Sequence, residues 1–197
     1  MAVTDELYQQ LLRALEKRMP LSLNFKMKLK DLLFDEHFKR GTCILHPREI
    51  QKRVWFILKG SAREFITDPN VGATDLTLWF WFEDDFLYTT PGFFSQEPTQ
   101  SSIEVLEDSH MIYLEVESFM LLRNQAEEVG PLSEKIRDHY TKMSVQHQLF
   151  LRIGTAEEKY DRIFKQHPAL FNHAKQKDIA TFLDMSPDTL GRMRKVK

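Results

Sequence analysis

The sequence predicts an α+β chain: two helices, an all-β domain, one long helix and a small helical head, in that order. Three observations predict this class. Apolar residues recur at helical spacing before Phe38 and again from Glu117. Between Phe38 and Ile112 they come instead in short runs and alternations rich in β-branched and aromatic residues, separated by turn formers. Residues 176–195 carry two short helical patterns joined by a tight turn.

The elements follow in order. Leu7, Leu11, Leu12 and Leu15 share one face of a helix over Thr4 to Lys17, capped by Thr4 or Asp5 and ended by Pro20. Ser22 caps a second helix, with Phe25, Leu29, Leu32 and Leu33 on one face, running to about Leu33. Strands are expected at Val54 to Leu58, Ala62 to Ile66, Leu76 to Phe82 and Ile103 to Leu106. Turns fall at Gly41, His46-Pro47, Lys59-Gly60, Asp68-Pro69-Asn70 with Gly72, Asp84-Asp85 and Pro91-Gly92. Many short strands without helices between them indicate a barrel or rolled sandwich. Met120, Leu121 and Leu122 form a short helix, and Gly130-Pro131 opens a longer one. There Ile136, Tyr140, Met143, His147 and Phe150 step by four and three residues, a narrow seam that asks for a partner helix. A second copy of the chain is expected there, ahead of packing against its own β domain. Gly154 breaks the helix, and Thr155 opens another with Glu157 and Glu158 in its first turn.

Composition narrows the function. With 197 residues, 42% of them hydrophobic, the chain can bury a sizeable core in one or two domains, which excludes disordered and collagen-like classes. One thiol, Cys43, makes no internal disulfide and falls short of the sets that hold iron–sulfur clusters or structural zinc. No run approaches the ~20 apolar residues that span a bilayer, and the stretch Met1 to Arg18 is polar and amphipathic. The cytosol is the expected compartment, with no membrane partner. Residues 155–197 carry a net charge of +3 and residues 1–154 a net charge of −5. A basic tail on an acidic body suits a nucleic-acid partner, although a solvated helical face shows the same balance.

The segment from Gln176 to Lys195 is the most informative. Ile179, Ala180 and Leu183 mark a first helix; Ser186-Pro187 supplies an N-cap and an N1 proline for a second. Helices crossing steeply need a small residue at the crossing, and Ala180 provides it, with Leu183, Leu190 and Met193 filling the wedge. The second helix presents Asp188, Thr189, Arg192 and Lys195 along an outer strip. Arginine pairs with guanine edges, an acid accepts from cytosine, and Thr, Lys and early backbone N–H groups hold phosphate.

Three motifs stand in order: Lys39-Arg40-Gly41-Thr42, then Val54-Trp55-Phe56-Ile57-Leu58-Lys59-Gly60-Ser61-Ala62-Arg63, then Ser186-Pro187-Asp188-Thr189-Leu190-Gly191-Arg192. In these the chain resembles the Crp/Fnr family of dimeric transcription regulators, over Phe38 to Lys195. The last motif sits on the family's Ser-Arg-Glu-Thr-Val-Gly-Arg. The resemblance implies three parts. Residues 1–130 would form a cyclic-nucleotide-binding-like β-roll, a double-stranded β-helix of jelly-roll type acting as effector domain, together with the N-terminal helices. Residues 131–154 would form a dimerisation helix, and 155–197 a helix-turn-helix domain. Arg192 would read a base as the family's arginine does and Asp188 as its acid, with Thr189, Gln176 and Lys177 at phosphate positions. Double-stranded DNA, a second copy and RNA polymerase are the implied partners.

Departures from the pattern carry their own expectations. Pro187 replaces a base-contacting arginine, so sequence preference should differ. Asp184 stands at a turn position usually held by Gly, which Asp tolerates in the left-handed conformation. The sequence stops at Lys197, with no room for the family's wing hairpin. Family members that bind cyclic nucleotides carry a Gly-Glu pair for the ribose and an Arg-Ser pair for the phosphate. Alignment on Asp85-Phe86 puts Tyr88-Thr89 at the first and Thr99-Gln100 or Gln100-Ser101 at the second. An effector pocket at Tyr88, Thr89, Thr99, Gln100 and Ser101 therefore lacks both charges. A buried phosphate would lose its arginine pairing there, so neither cAMP nor cGMP is expected. Trp79, Trp81, Phe82, Phe86, Tyr88, Phe93 and Phe94 crowd the region, which leaves a less polar effector, or none. No cofactor or metal is expected, since His37, His46, His110 and His173 show no ligand spacing. Ser101-Ser102 and Glu107-Asp108 have no partner fixed by spacing, so no enzyme is expected. The leading expectation is a homodimeric regulator at a near-palindromic operator, its two helices roughly 34 Å apart. The second is a ligand-binding or protein-interaction module with a degenerate head.

Overall fold

The computed structural model describes residues 3–68 and 74–195. Helix α1 (Asp5–Glu16) follows an extended Thr4, with Asp5 and Glu6 in its first turn where carboxylates favour the helix dipole. Helix α2 (Leu23–Lys30) is capped by Ser22, whose Oγ accepts from the Phe25 N–H at 3.1 Å. It ends at Lys30, earlier than the apolar spacing predicts. Leu33–Phe38 is instead β1, paired antiparallel with residues 109–114. A leucine pair at the end of a helical stripe also fits a strand, and the ladder decides between them.

The β domain continues with β2 (Cys43–Leu45), β3 (Arg53–Lys59), β4 (Ala62–Asp68), β5 (Thr74–Trp81), β6 (Phe86–Leu87), β7 (Ser102–Val105) and β8 (Ser109–Glu115). They form two four-stranded antiparallel sheets, ordered β1-β8-β3-β6 and β2-β7-β4-β5. The chain passes repeatedly from one sheet to the other, which is the rolled sandwich that the strand pattern predicts. Ile57, Ala62, Leu87, Ile103, Val105 and Met111 fill the space between the sheets and are fully buried. Gly60 makes the β3–β4 turn possible. Its φ is +110°, and a Cβ there would lie 2.0 Å from the Ser109 hydroxyl oxygen. The expected turn at Asp68-Pro69-Asn70 and Gly72 falls on residues 69–73, outside the described residues.

Helix α3 (Val116–Gln125) leads to α4 (Val129–Ile153), whose first turn holds Pro131. The packing divides the α4 seam. Ile136 and Tyr140 are buried in the chain's own core, and Met143 packs at its edge. His147 and Phe150 are half-buried against the head: His147 stacks on Phe182, and Arg162 lies over the Phe150 ring. Ile136 and Tyr140 are thus covered within one chain, whereas Met143, His147 and Phe150 keep part of their surface exposed. A four-three repeat shows that a stripe needs cover, not which surface supplies it.

The head comprises α5 (Ala156–Gln166), α6 (Leu170–His173), α7 (Gln176–Phe182) and α8 (Pro187–Lys195). Thr155 and Glu158 form a reciprocal capping box at the start of α5. The expected boundary at Gly154 is the C-cap of α4. Even so, the head does not build its core alone. Phe80 and Leu106 of the β domain join Tyr160, Ile163, Leu170, Ile179, Leu183 and Leu190 in one cluster.

Candidate functional site

The turn between α7 and α8 is built as the sequence predicts. Ala180 is fully buried at the crossing, and Leu183 and Leu190 fill the wedge. Asp184 adopts the left-handed conformation, with φ +49°. Ser186 Oγ accepts from the Thr189 N–H at 3.1 Å and so caps α8. These local contacts leave Asp188, Arg192 and Lys195 exposed, with Lys177 exposed on α7. Arg192 Nη2 donates to Thr189 Oγ1 at 3.3 Å, which lays the guanidinium along the outer face of the helix. Gln176 is engaged differently from the expectation of phosphate contact. Its Nε2 donates to the Pro187 carbonyl at 2.7 Å, tying the start of α7 to the start of α8.

What orients this pair is the β domain. Arg63 on β4 is 2% exposed, and three carboxylates surround it. Its Nη2 lies 2.8 Å from Asp75 and 2.6 Å from Glu104, and its Nη1 lies 2.9 Å from Asp178 of α7. The Asp178 contact pairs the charges without hydrogen-bond geometry, so both atoms lack a directional partner. Burial raises the Asp178 carboxyl above its ordinary range even beside the guanidinium. The Thr77 N–H donates to Thr181 Oγ1 at 3.2 Å, a second tie from β5 to α7. Two imidazoles complete the contact: His147 stacks on Phe182 at 4.1 Å and His167 on Phe82 at 3.6 Å. Burial holds both below the ordinary histidine range. The sequence offers no local signal for any of these pairings.

A second candidate site lies where the β domain meets α4. An open cleft of about 490 Å³ is lined by Glu64, Trp79, Trp81, Tyr88 and Tyr140, with Ser144, Val145 and Gln148 of α4 at its edge. The expected pocket residues divide here. Tyr88 lines the cleft. Thr89 turns to the buried Gln51, whose Oε1 accepts from the Thr89 N–H at 2.8 Å. Gln100 is exposed. Thr99 and Ser101 are buried together, and Ser101 donates to Glu64 Oε1 at 2.6 Å. Glu64, read from the sequence only as part of a strand, is therefore the charged group of the cleft. Burial pushes its carboxyl up to about 7. Tyr140 closes the inner end: its hydroxyl donates to Asp85 Oδ1 at 2.9 Å and accepts from the Phe86 N–H at 2.8 Å.

Two further groupings escaped the sequence. On α4, Val145, Leu149 and Ile153 are 50%, 55% and 82% exposed, an apolar line turned away from the chain's own core. On the opposite sheet, register sets His37 beside His110, with rings stacked at 3.8 Å and Asp35 Oδ2 2.8 Å from His110 Nε2. The histidines that spacing left unrelated are neighbours across two strands.

No protein-family model matches the chain, and no curated protein matches its sequence. Solved structures do match. FixK2 from Bradyrhizobium japonicum is similar over 83% of this chain and 83% of its own, with a TM-score of 0.70 at 14% identity. The c-di-GMP-responsive global regulator CLP from Xanthomonas campestris is similar over 89% of this chain and 91% of its own, with a TM-score of 0.67 at 12% identity. The catabolite activator protein from Thermus thermophilus is similar over 93% of this chain and 85% of its own, with a TM-score of 0.55 at 15% identity. The chain has the fold of these regulators, as the resemblance implies.

Proposed function

We propose that this chain is a homodimeric, DNA-binding transcription regulator of the Crp/Fnr type, acting in the cytosol and answering to a small effector. The observation that carries the reading is the disposition of α8. It is a capped helix whose Leu190 is buried in one cluster with Leu183, and its exposed strip holds Asp188, Arg192 and Lys195. Such a strip enters a major groove with Arg192 and Asp188 at base edges, while Thr189, Lys177 and Lys195 lie within reach of the backbone. The fold shared with FixK2, CLP and the catabolite activator protein supports the same reading.

A single head binds a short site weakly, so two are needed. The line of Val145, Leu149 and Ile153 supplies the apolar face through which a second copy would pack α4 against α4. Two-fold pairing along a 25-residue helix would place the two α8 helices in successive major grooves. RNA polymerase is then the natural further contact. Selection from random duplexes, repeated at two salt concentrations, tests the proposal. A near-palindrome should emerge, and log affinity should fall linearly with log salt. Recovery of no common sequence, or affinity indifferent to salt, would leave the fold without this function.

A further inference from the structure

We infer that the cleft between β4–β5 and α4 binds a small organic ammonium ion, held by the Glu64 carboxylate against the rings of Trp79, Trp81, Tyr88 and Tyr140. This deepens the proposed function by naming the chemical class of the effector. Its binding half stands on the cleft alone.

Register places Glu64 opposite Trp79 and Ala62 opposite Trp81. Helix α4 lays Tyr140 across them. The rings meet tilted or edge-on and do not stack flat: Trp81 and Tyr140 at 5.1 Å and 61°, Tyr88 and Tyr140 at 5.8 Å and 81°, Trp79 and Trp81 at 6.4 Å and 63°, Trp81 and Tyr88 at 6.1 Å and 46°. Faces and edges therefore both line the wall, and a ring face attracts a cation within about 6 Å of its centroid.

Charge decides the class of ligand. Glu64 is a carboxylate in the cleft, and among the described residues no lysine or arginine lines it. Among the described residues, Ser101 is the one hydrogen-bond donor to Glu64. Neighbouring Arg63 is spent on Asp75, Glu104 and Asp178, and Arg137 lies over Phe94. A phosphate would bring a second anion against a desolvated carboxylate, whereas an ammonium supplies the missing counter-charge. The volume of about 490 Å³ suits a small molecule. Val145, at the edge of the cleft, also belongs to the exposed line on α4, so an occupant would touch the proposed dimer face.

Titration calorimetry with choline and with its neutral carbon isostere, dimethylbutanol, separates charge from shape. Choline should bind the full chain at least about tenfold more tightly than the isostere. Glu64→Gln should bring that ratio near one, and Tyr88→Leu should lower it, each in protein whose melting shows it folded. The ammonium pairs with the ionised carboxylate, so wild-type affinity should rise as pH climbs through about 7 and stay flat in Glu64→Gln. Tyr88 and Tyr140, the other titratable groups lining the cleft, remain neutral there because burial raises both. Equal binding of choline and dimethylbutanol, a preference for choline that survives Glu64→Gln, or tighter binding of cAMP would overturn the site. Binding of choline that leaves operator affinity unchanged would overturn only its role as effector, and loss of operator binding with choline binding intact would strike the regulator reading instead.

Discussion

At the scale of single residues, Arg192 and Tyr140 show how opposite environments give side chains opposite tasks. Arg192 is exposed and, among the described residues, held only by Thr189, so its removal costs the fold little. Arg192→Ala should weaken specific operator binding by about 1–3 kcal/mol and relax preference at one base pair, read by competition among variant duplexes. Unchanged affinity and preference would remove it from base reading. Tyr140 is buried and satisfies two groups at once, the Asp85 carboxylate and the Phe86 N–H. Burial already pushes Asp85 up to about 6, and the tyrosine hydroxyl partly opposes this. Tyr140→Phe should lower unfolding stability by about 1–3 kcal/mol, measured in urea, because the N–H and carboxylate would lose a partner inside the protein. The exposed placement of Arg192 was legible in its motif; the contacts of Tyr140 were not, since its partners lie far away in sequence.

At the scale of elements, α4 has two apolar lines and only one is covered within the chain. Ile136 and Tyr140 belong to the inner line, and Val145, Leu149 and Ile153 to the outer. Truncating the inner line should unfold and truncating the outer should dissociate. Ile136→Ala should cost about 2–5 kcal/mol of stability. Leu149→Lys should leave the melting of the isolated chain nearly unchanged and shift sedimentation from dimer to monomer. A Leu149→Lys protein that remains dimeric would place the interface elsewhere. The sequence showed the stripe at Ile136 and missed the outer line because Val145, Leu149 and Ile153 repeat at four residues alone, a spacing shared with many solvated faces. The termini of helices were more legible. Ser22, Thr155 and Ser186 all cap as read, since a cap depends on atoms three residues away.

At the scale of the whole molecule, the head and the β domain act as one packed body, joined by Arg63 with Asp178 and by two stacked imidazoles. Their titration gives this junction a pH dependence with a definite sign. The folded values of His147 and His167 lie below the ordinary one, so the folded state binds fewer protons than the unfolded state. The stability they contribute is present above the ordinary histidine range and is lost as pH falls through it. Acidification should therefore destabilise wild type more than His167→Phe, which keeps the stacked ring and removes one titrating group. Parallel urea midpoints for the two proteins across that range would assign the acid sensitivity to other groups.

The sequence by itself determined the order of parts, the strands at β3, β4, β5 and β7, and the helix-turn-helix. Each of these rests on spacing, capping and turn chemistry within a few residues. Only the tertiary structure decided that Leu33 begins a strand, that Ile136 and Tyr140 of the α4 seam pack on their own chain, that Gln176 ties two helices, and that Glu64 stands among aromatic rings. Local periodicity reports that a surface must be buried. What buries it, and which charge meets which, depends on segments brought together by the whole fold.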